Sequence, residues 1–142
     1  MLKASVIHPE ILSVLSVAGH GSQVLIADGD YPVATEKGIN AKVVHLNLVP
    51  GKLQTTEVLE ALLQIMPIEE AKVMDVPQGM ERPKIWDEYR RILREHEVDF
   101  HMEPIERFSF YDKVSQKSTA LIIQTGETRD YANLLLTMGS LW

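Results

Sequence analysis

The stretch that most constrains the fold is QVLIAD, residues 23 to 28. It is β-branched and apolar without alternation, and a strand of that kind must be buried on both faces, so a covering layer is needed above and below it. AKVVHLNL, residues 41 to 48, is a second run of the same type. Between and around such runs, apolar residues recur at helical spacing. Ile11, Leu12, Val14, Leu15 and Ala18 mark a short amphipathic helix over 8 to 18, with Pro9 early and Gly19 just past the end. Val58, Leu59, Leu62, Leu63 and Met66 mark another, with Thr55 or Thr56 available as its cap. AKVMDVP then predicts a strand stopped by Pro77, and Pro83 opens a longer helix carrying Ile85, Trp86, Tyr89, Ile92 and Leu93 on one face. FHMEPI reads as a strand, RFSFYDKVSQ as one or two helical turns, and STALIIQTGE and YANLLLTMG as closing strands on either side of a TGETRD turn. Helices alternating with buried-type strands predict an α/β layered domain, a mostly buried sheet flanked by helices.

With 142 residues, 45% of them hydrophobic, and no repeat, linker or low-complexity tract, one domain over 1 to 142 is expected. The balance of 14 Lys plus Arg against 20 Asp plus Glu, with no basic cluster interleaved with aromatics, argues against a nucleic-acid partner. The absence of cysteine removes disulfides, thiolate nucleophiles and thiolate metal sites together. MLKASVIHPE has one Lys and no long apolar stretch, and no run approaches the ~20 residues of a membrane helix. The expectation is a cytoplasmic protein with no membrane partner.

Residues 19 to 32, GHGSQVLIADGDYP, are where chemistry enters. A dinucleotide-binding glycine fingerprint follows a strand and opens a helix; this GHG follows a helix and opens a strand, so it is not a phosphate cradle. Walker, HExxH and EF-hand patterns are missing too, and neither a metal nor a cofactor is expected. What is left is His20, freed from helix geometry by flanking glycines. An imidazole titrating near ~6.5 can donate and accept a proton at neutral pH; a solvated helix-end residue is the competing reading. Asp28 stands at the end of a strand run, where α/β folds expose ligand-binding groups, although an Asx turn with Gly29 and Asp30 accounts for it equally well. His8, beside Pro9, reads as a helix-start residue, and His45, His96 and His101 as structural or solvated. Trp86 and Tyr89 read as core residues, with sugar stacking as the alternative. Eight extended steps separate His20 from Asp28 by up to ~26 Å, so both can touch one small substrate only if the loop folds back or neighbouring chains share a pocket.

Five segments together, MLK, GHGSQVLIADGDYP, IWDEYRRIL, IERFSFYDK and TGETRDYANLLLTMG, resemble the ribose pyranase and L-fucose mutarotase family along essentially the whole chain. GHG followed by IAD, and TGE followed by YAN, are the most specific pieces; IERFSFY and IWDEY resemble the fucose branch. The resemblance implies a cofactor-free isomerase that interconverts the anomers of a free monosaccharide and assembles into rings, commonly decamers of stacked pentamers, with active sites between subunits. It further implies His20 as proton donor and Asp28, Arg107, Tyr131, Ala132 and Asn133 as substrate-binding residues; ring opening also needs a catalytic counterpart to His20, for which the Tyr131 hydroxyl or a water is the candidate. The ribose branch often carries His where Arg107 stands, which favours L-fucose over ribose, with galactose a further candidate ligand. D-ribose pyranase, or a noncatalytic sugar-binding accessory protein of sugar uptake, are the alternatives. DGDYP departs from the family's more usual DANFP at Gly29, Asp30 and Tyr31, a change that bears on the sugar and not on the chemistry.

Overall fold

A computed structural model describes residues 1 to 98 and 101 to 142. Four helices, α1 (Pro9–Val17), α2 (Thr55–Leu63), α3 (Ile85–Glu95) and α4 (Arg107–Val114), flank six strands: β1 (Gln23–Ala27), β2 (Lys42–His45), β3 (Ile68–Met74), β4 (Glu103–Ile105), β5 (Thr119–Gln124) and β6 (Leu134–Met138). The strands form one mixed sheet in the order β2-β5-β1-β6-β3-β4. β1 lies parallel to β5, with Leu25 opposite Ile122, and antiparallel to β6, with Ile26 opposite Leu134.

Because successive side chains of a strand point to opposite faces, the continuous apolar run of β1 divides between two cores. Val24 and Ile26 join the larger one under α1, α2 and α3, with Ile11, Leu59, Leu62, Trp86, Tyr89 and Ile92. Leu25 and Ala27 join the smaller one under α4, with Phe110, Val114, Ile122 and Leu135. Every residue of β1 is buried, as expected of a strand covered on both faces.

Three expectations need correction. The 41 to 48 run is not a doubly covered strand: β2 is four residues long at the sheet edge, pairing only with β5, and only Val44 of its side chains is buried. An apolar edge strand and a central one look alike in sequence, because hydropathy does not record the number of neighbours. The cap of α2 is Gln54, whose N–H donates to the Glu57 carboxylate at 2.7 Å; Thr55 already lies inside the helix and is fully buried. The TGETRD turn does connect β5 to β6, and because β1 lies between those strands it crosses the end of β1. The FHMEPI strand is shorter than read, β4 covering only Glu103–Ile105, and Phe100 lies outside the described residues. His8 caps α1 through Nδ1, which accepts from the N–H of Ile11 at 3.4 Å. Among the described residues no helix is long and apolar enough to cross a membrane.

Candidate active site

The end of β1 meets the start of β6 because those strands run antiparallel side by side. Asp28 follows the first and Asn133 precedes the second, and the two are joined reciprocally. The Asp28 N–H donates to Asn133 Oδ1 at 2.9 Å, and Asn133 Nδ2 donates to Asp28 Oδ2 at 2.8 Å. The other carboxylate oxygen of Asp28 accepts from the N–H of Asp30 at 3.1 Å. Thus the Asx-turn reading of Asp28 is satisfied, yet the same residue also borders a hollow of about 370 Å³ with Asp30, Arg107, Tyr111, Tyr131 and Asn133. Burial is the main influence on Asp28 and raises its pKa to about 6, against the opposing pull of hydrogen bonds from the Asp30 and Tyr31 backbone; the nearby Asp30 charge adds to the rise.

Arg107 opens α4, whose first turn is held by Glu106, its carboxylate accepting from the N–H groups of Phe108 and Ser109 at 2.9 and 3.0 Å. The Arg107 Nε donates to the Tyr111 hydroxyl at 3.2 Å, and its guanidinium stands over the Tyr111 ring. Tyr31 meets the Tyr111 ring edge-on, centroids 5.7 Å apart. Four of the sequence-derived site residues, Asp28, Arg107, Tyr131 and Asn133, therefore share one hollow. Ala132 does not line it; its side chain is wholly buried in the larger core.

His20 is elsewhere. It lies beyond the opposite end of β1, in a second hollow of about 290 Å³ with Pro67, Met138, Leu141 and Trp142. Of its two glycines, Gly21 adopts φ +81°, a left-handed turn that L side chains rarely accept, whereas Gly19 does not. His20 Nε2 lies 2.8 Å from Glu69 Oε2 at the start of β3. An ionised carboxylate only accepts, so this bond assigns a hydrogen to Nε2. The loop does not fold back: within one chain, His20 and the Asp28 hollow stand at opposite ends of the sheet. Among the described residues no cluster of three His, Asp or Glu could hold a metal ion.

Residues 1 to 141 match the model of the RbsD / FucU transport protein family. The chain belongs to this RbsD / FucU family. The fucose mutarotase of Danio rerio is 35% identical to it over 95% of this chain and 90% of that one. The D-ribose pyranase of Staphylococcus haemolyticus is 31% identical, over 98% of both chains. Among solved structures, the fucose mutarotase of Streptococcus pneumoniae in complex with L-fucose superposes with a TM-score of 0.87 at 30% identity, covering 100% of both chains.

In this RbsD / FucU chain a second layer, which sequence reasoning missed, holds the 131 to 133 backbone. Tyr131 adopts φ +56°, a conformation costing a non-glycine residue on the order of 1 kcal/mol. The Trp86 indole N–H donates to the Tyr131 carbonyl at 3.1 Å, and the Tyr89 hydroxyl donates to that of Ala132. Trp86 and Tyr89 are core residues, as read, but their polar tips fix the segment that lines the hollow. Tyr89 also lies 2.6 Å from Thr55 Oγ1, which in turn reaches Glu127. Burial pushes Glu127 up, but the Arg129 guanidinium and backbone N–H outweigh it and bring the carboxyl down to about 2. The sequence marked these residues only as aromatic helix positions and turn charges; their roles come from which elements pack together.

Asp28 yields the first expected outcome. In the isolated protein its carboxyl carbon should titrate near pH 6 by NMR. Since the folded value lies above the unfolded one, the stability tied to the neutral carboxyl is complete below about 4 and is lost as pH rises through 6. A midpoint near 4 would show that the site does not desolvate this group.

Proposed function

We propose that the protein is an L-fucose mutarotase, a cofactor-free isomerase that interconverts the α and β anomers of a free monosaccharide in the cytoplasm, working as a homo-oligomeric ring, most naturally a decamer. The observation that carries this reading is the gathering of Asp28, Arg107, Tyr131 and Asn133 in one polar hollow, in a chain 30% identical and nearly superposable along its whole length to a fucose mutarotase solved with L-fucose.

Anomer exchange requires that the ring oxygen gain a proton while the anomeric hydroxyl loses one, which opens the ring to the aldehyde. Rotation about C1–C2 and reclosure, with both proton transfers reversed, yields the other anomer. His20, protonated at both ring nitrogens with Nε2–H held by Glu69, gives its second proton to the ring oxygen and takes one back on reclosure. Its counterpart at the anomeric hydroxyl is the Tyr131 hydroxyl or a water, with Asp28 beside them as a carboxyl able to take up and release a proton near neutral pH. Arg107, Asn133 and the 131 to 133 backbone, including that of Ala132, hold the sugar hydroxyls and fix orientation. For His20 to meet this ligand it must come from a neighbouring chain, because its own hollow lies at the far end of β1. A closed ring supplies every Asp28 hollow with one such histidine.

D-ribose pyranase is the second reading, favoured by the relative of that name; Arg107 favours the first. The family description also names transport, which suits a noncatalytic sugar binder. Saturation-transfer NMR on L-fucose, D-ribose and D-galactose separates the three. The expected result is protein-dependent exchange between fucose anomers, faster than with the other two sugars. Exchange confined to ribose would establish the second reading, and binding without exchange of any sugar would defeat both enzymatic ones.

A further inference from the structure

The segment after β6 is anchored beside the catalytic histidine. Gly21 N–H donates to the Met138 carbonyl at 2.9 Å, Met138 N–H to that of Ser22 at 2.8 Å, and Gly139 N–H to that of Pro67 at 3.0 Å. These bonds seat residues 138 and 139 between the GHG loop and the start of β3. Gly139 permits that approach, since a Cβ there would come within 3.3 Å of Glu69 Cβ, on the residue that holds His20. The Ser140 hydroxyl and the Trp142 main chain then bond to each other, turning the chain back. Trp142 emerges on the rim of the His20 hollow with its indole fully exposed, 100%, and Leu141 beside it at 73%. Among the described residues of one chain nothing covers this large aromatic surface, which lies beside an exposed imidazole.

A monosaccharide has a rim of hydroxyls and a face of C–H bonds. The Asp28 hollow, with three aspartates, a glutamate and two arginines, suits the rim. The Tyr111 ring there is already engaged by Arg107 and Tyr31. The His20 hollow supplies the apolar complement, with Pro67, Met138, Leu141 and Trp142 around one proton-transfer group.

We propose that Trp142 is a substrate-contacting, specificity-determining residue: its indole stacks on the C–H face of the sugar that His20 of the same chain protonates, and favours 6-deoxy sugars, whose methyl extends that face. This rests on the mutarotase reading of the site. Aromatic stacking of ordinary strength corresponds to roughly three- to tenfold in affinity.

The test compares wild type, Trp142→Ala and Trp142→Phe by saturation-transfer NMR across L-fucose and L-galactose concentrations, with sedimentation velocity on each protein. Trp142→Ala should raise the KM for fucose about three- to tenfold, leave kcat within about twofold and change the galactose KM less, with Trp142→Phe near wild type and all three assemblies alike. Fucose should also perturb the emission of wild type more than that of Trp142→Phe, in which only the buried Trp86 reports. An unchanged KM in Trp142→Ala, or a loss of activity that follows loss of assembly, overturns the inference while leaving the mutarotase reading intact. A Trp142-dependent emission change on fucose binding, with no exchange of any sugar, supports the stacking contact and defeats the mutarotase reading instead.

Discussion

Replacing His20 by alanine is expected to lower anomer exchange by roughly 10²- to 10⁴-fold, the range that one positioned acid or base contributes, while the sugar still binds. The separation follows from the division of labour. The groups proposed to grip hydroxyls, Asp28, Arg107 and Asn133, sit in one hollow, and His20 sits in another. Its imidazole is 63% exposed, so its removal leaves no cavity in the core. The unfolding midpoint in urea should therefore stay close to wild type. Fucose-dependent line broadening measures exchange, and chemical-shift perturbation at Asn133 measures binding. If both vanished together, His20 would be a binding residue rather than the proton donor. Glu69→Gln offers a milder comparison, because the amide can still hold the ring through its oxygen.

The largest effect on stability is expected at Glu127. Its carboxylate is fully enclosed, accepts from Arg129 Nε and Nη2 at 2.9 and 2.8 Å and from the backbone N–H groups of Thr128 and Arg129, and lies 3.2 Å from Thr55 Oγ1. Glutamine has nearly the same shape but turns an N–H₂ toward the guanidinium, setting donor against donor. Losing one partner of a fully buried ion pair costs about 3 to 5 kcal/mol, and the low end applies here because Arg129 is 35% exposed and keeps Glu88. Linkage gives a similar size. The folded carboxyl titrates at about 2, below its unfolded value, so its contribution, roughly 3 kcal/mol, is complete above about pH 4.5 and disappears as pH falls through 2. Urea unfolding of Glu127→Gln should thus show a deficit of that order at pH 7 that narrows in acid. A deficit below about 1 kcal/mol at pH 7 would mean that Glu88, 2.9 Å from Arg129 Nη1, suffices alone. The variant should also bind sugar less well, since the Glu127 carbonyl accepts the Gly29 N–H at 2.9 Å and so ties this network to the turn after Asp28.

The fold class was readable because strand burial and helical periodicity are local properties. QVLIAD could satisfy its side chains only in a central strand, and β1 is one. What the sequence could not carry was adjacency. That β6 would insert antiparallel beside β1, bringing Asn133 onto Asp28, depends on chain crossings that hydropathy does not encode. Glu69 escaped notice for the same reason: it lies 49 positions from His20, and only the pairing of β3 with β6 brings it near. Thr55, Trp86 and Tyr89 were legible as helix residues, but the bonds at their polar ends belong to the packed state. The extended length of residues 20 to 28, by contrast, was itself informative. Distance along a strand survives folding, and it already separated the histidine from the aspartate.

Whether two chains build each site is tested most directly by co-expressing His20→Ala and Asp28→Ala subunits, each inactive alone, and measuring fucose anomer exchange of the mixed oligomer. If neighbouring chains share the site, random assembly at equal ratio gives about a quarter of the sites an intact histidine and an intact aspartate, and exchange should return to roughly that fraction of wild type. A mixed oligomer that stays as inactive as its parents would contradict the shared site.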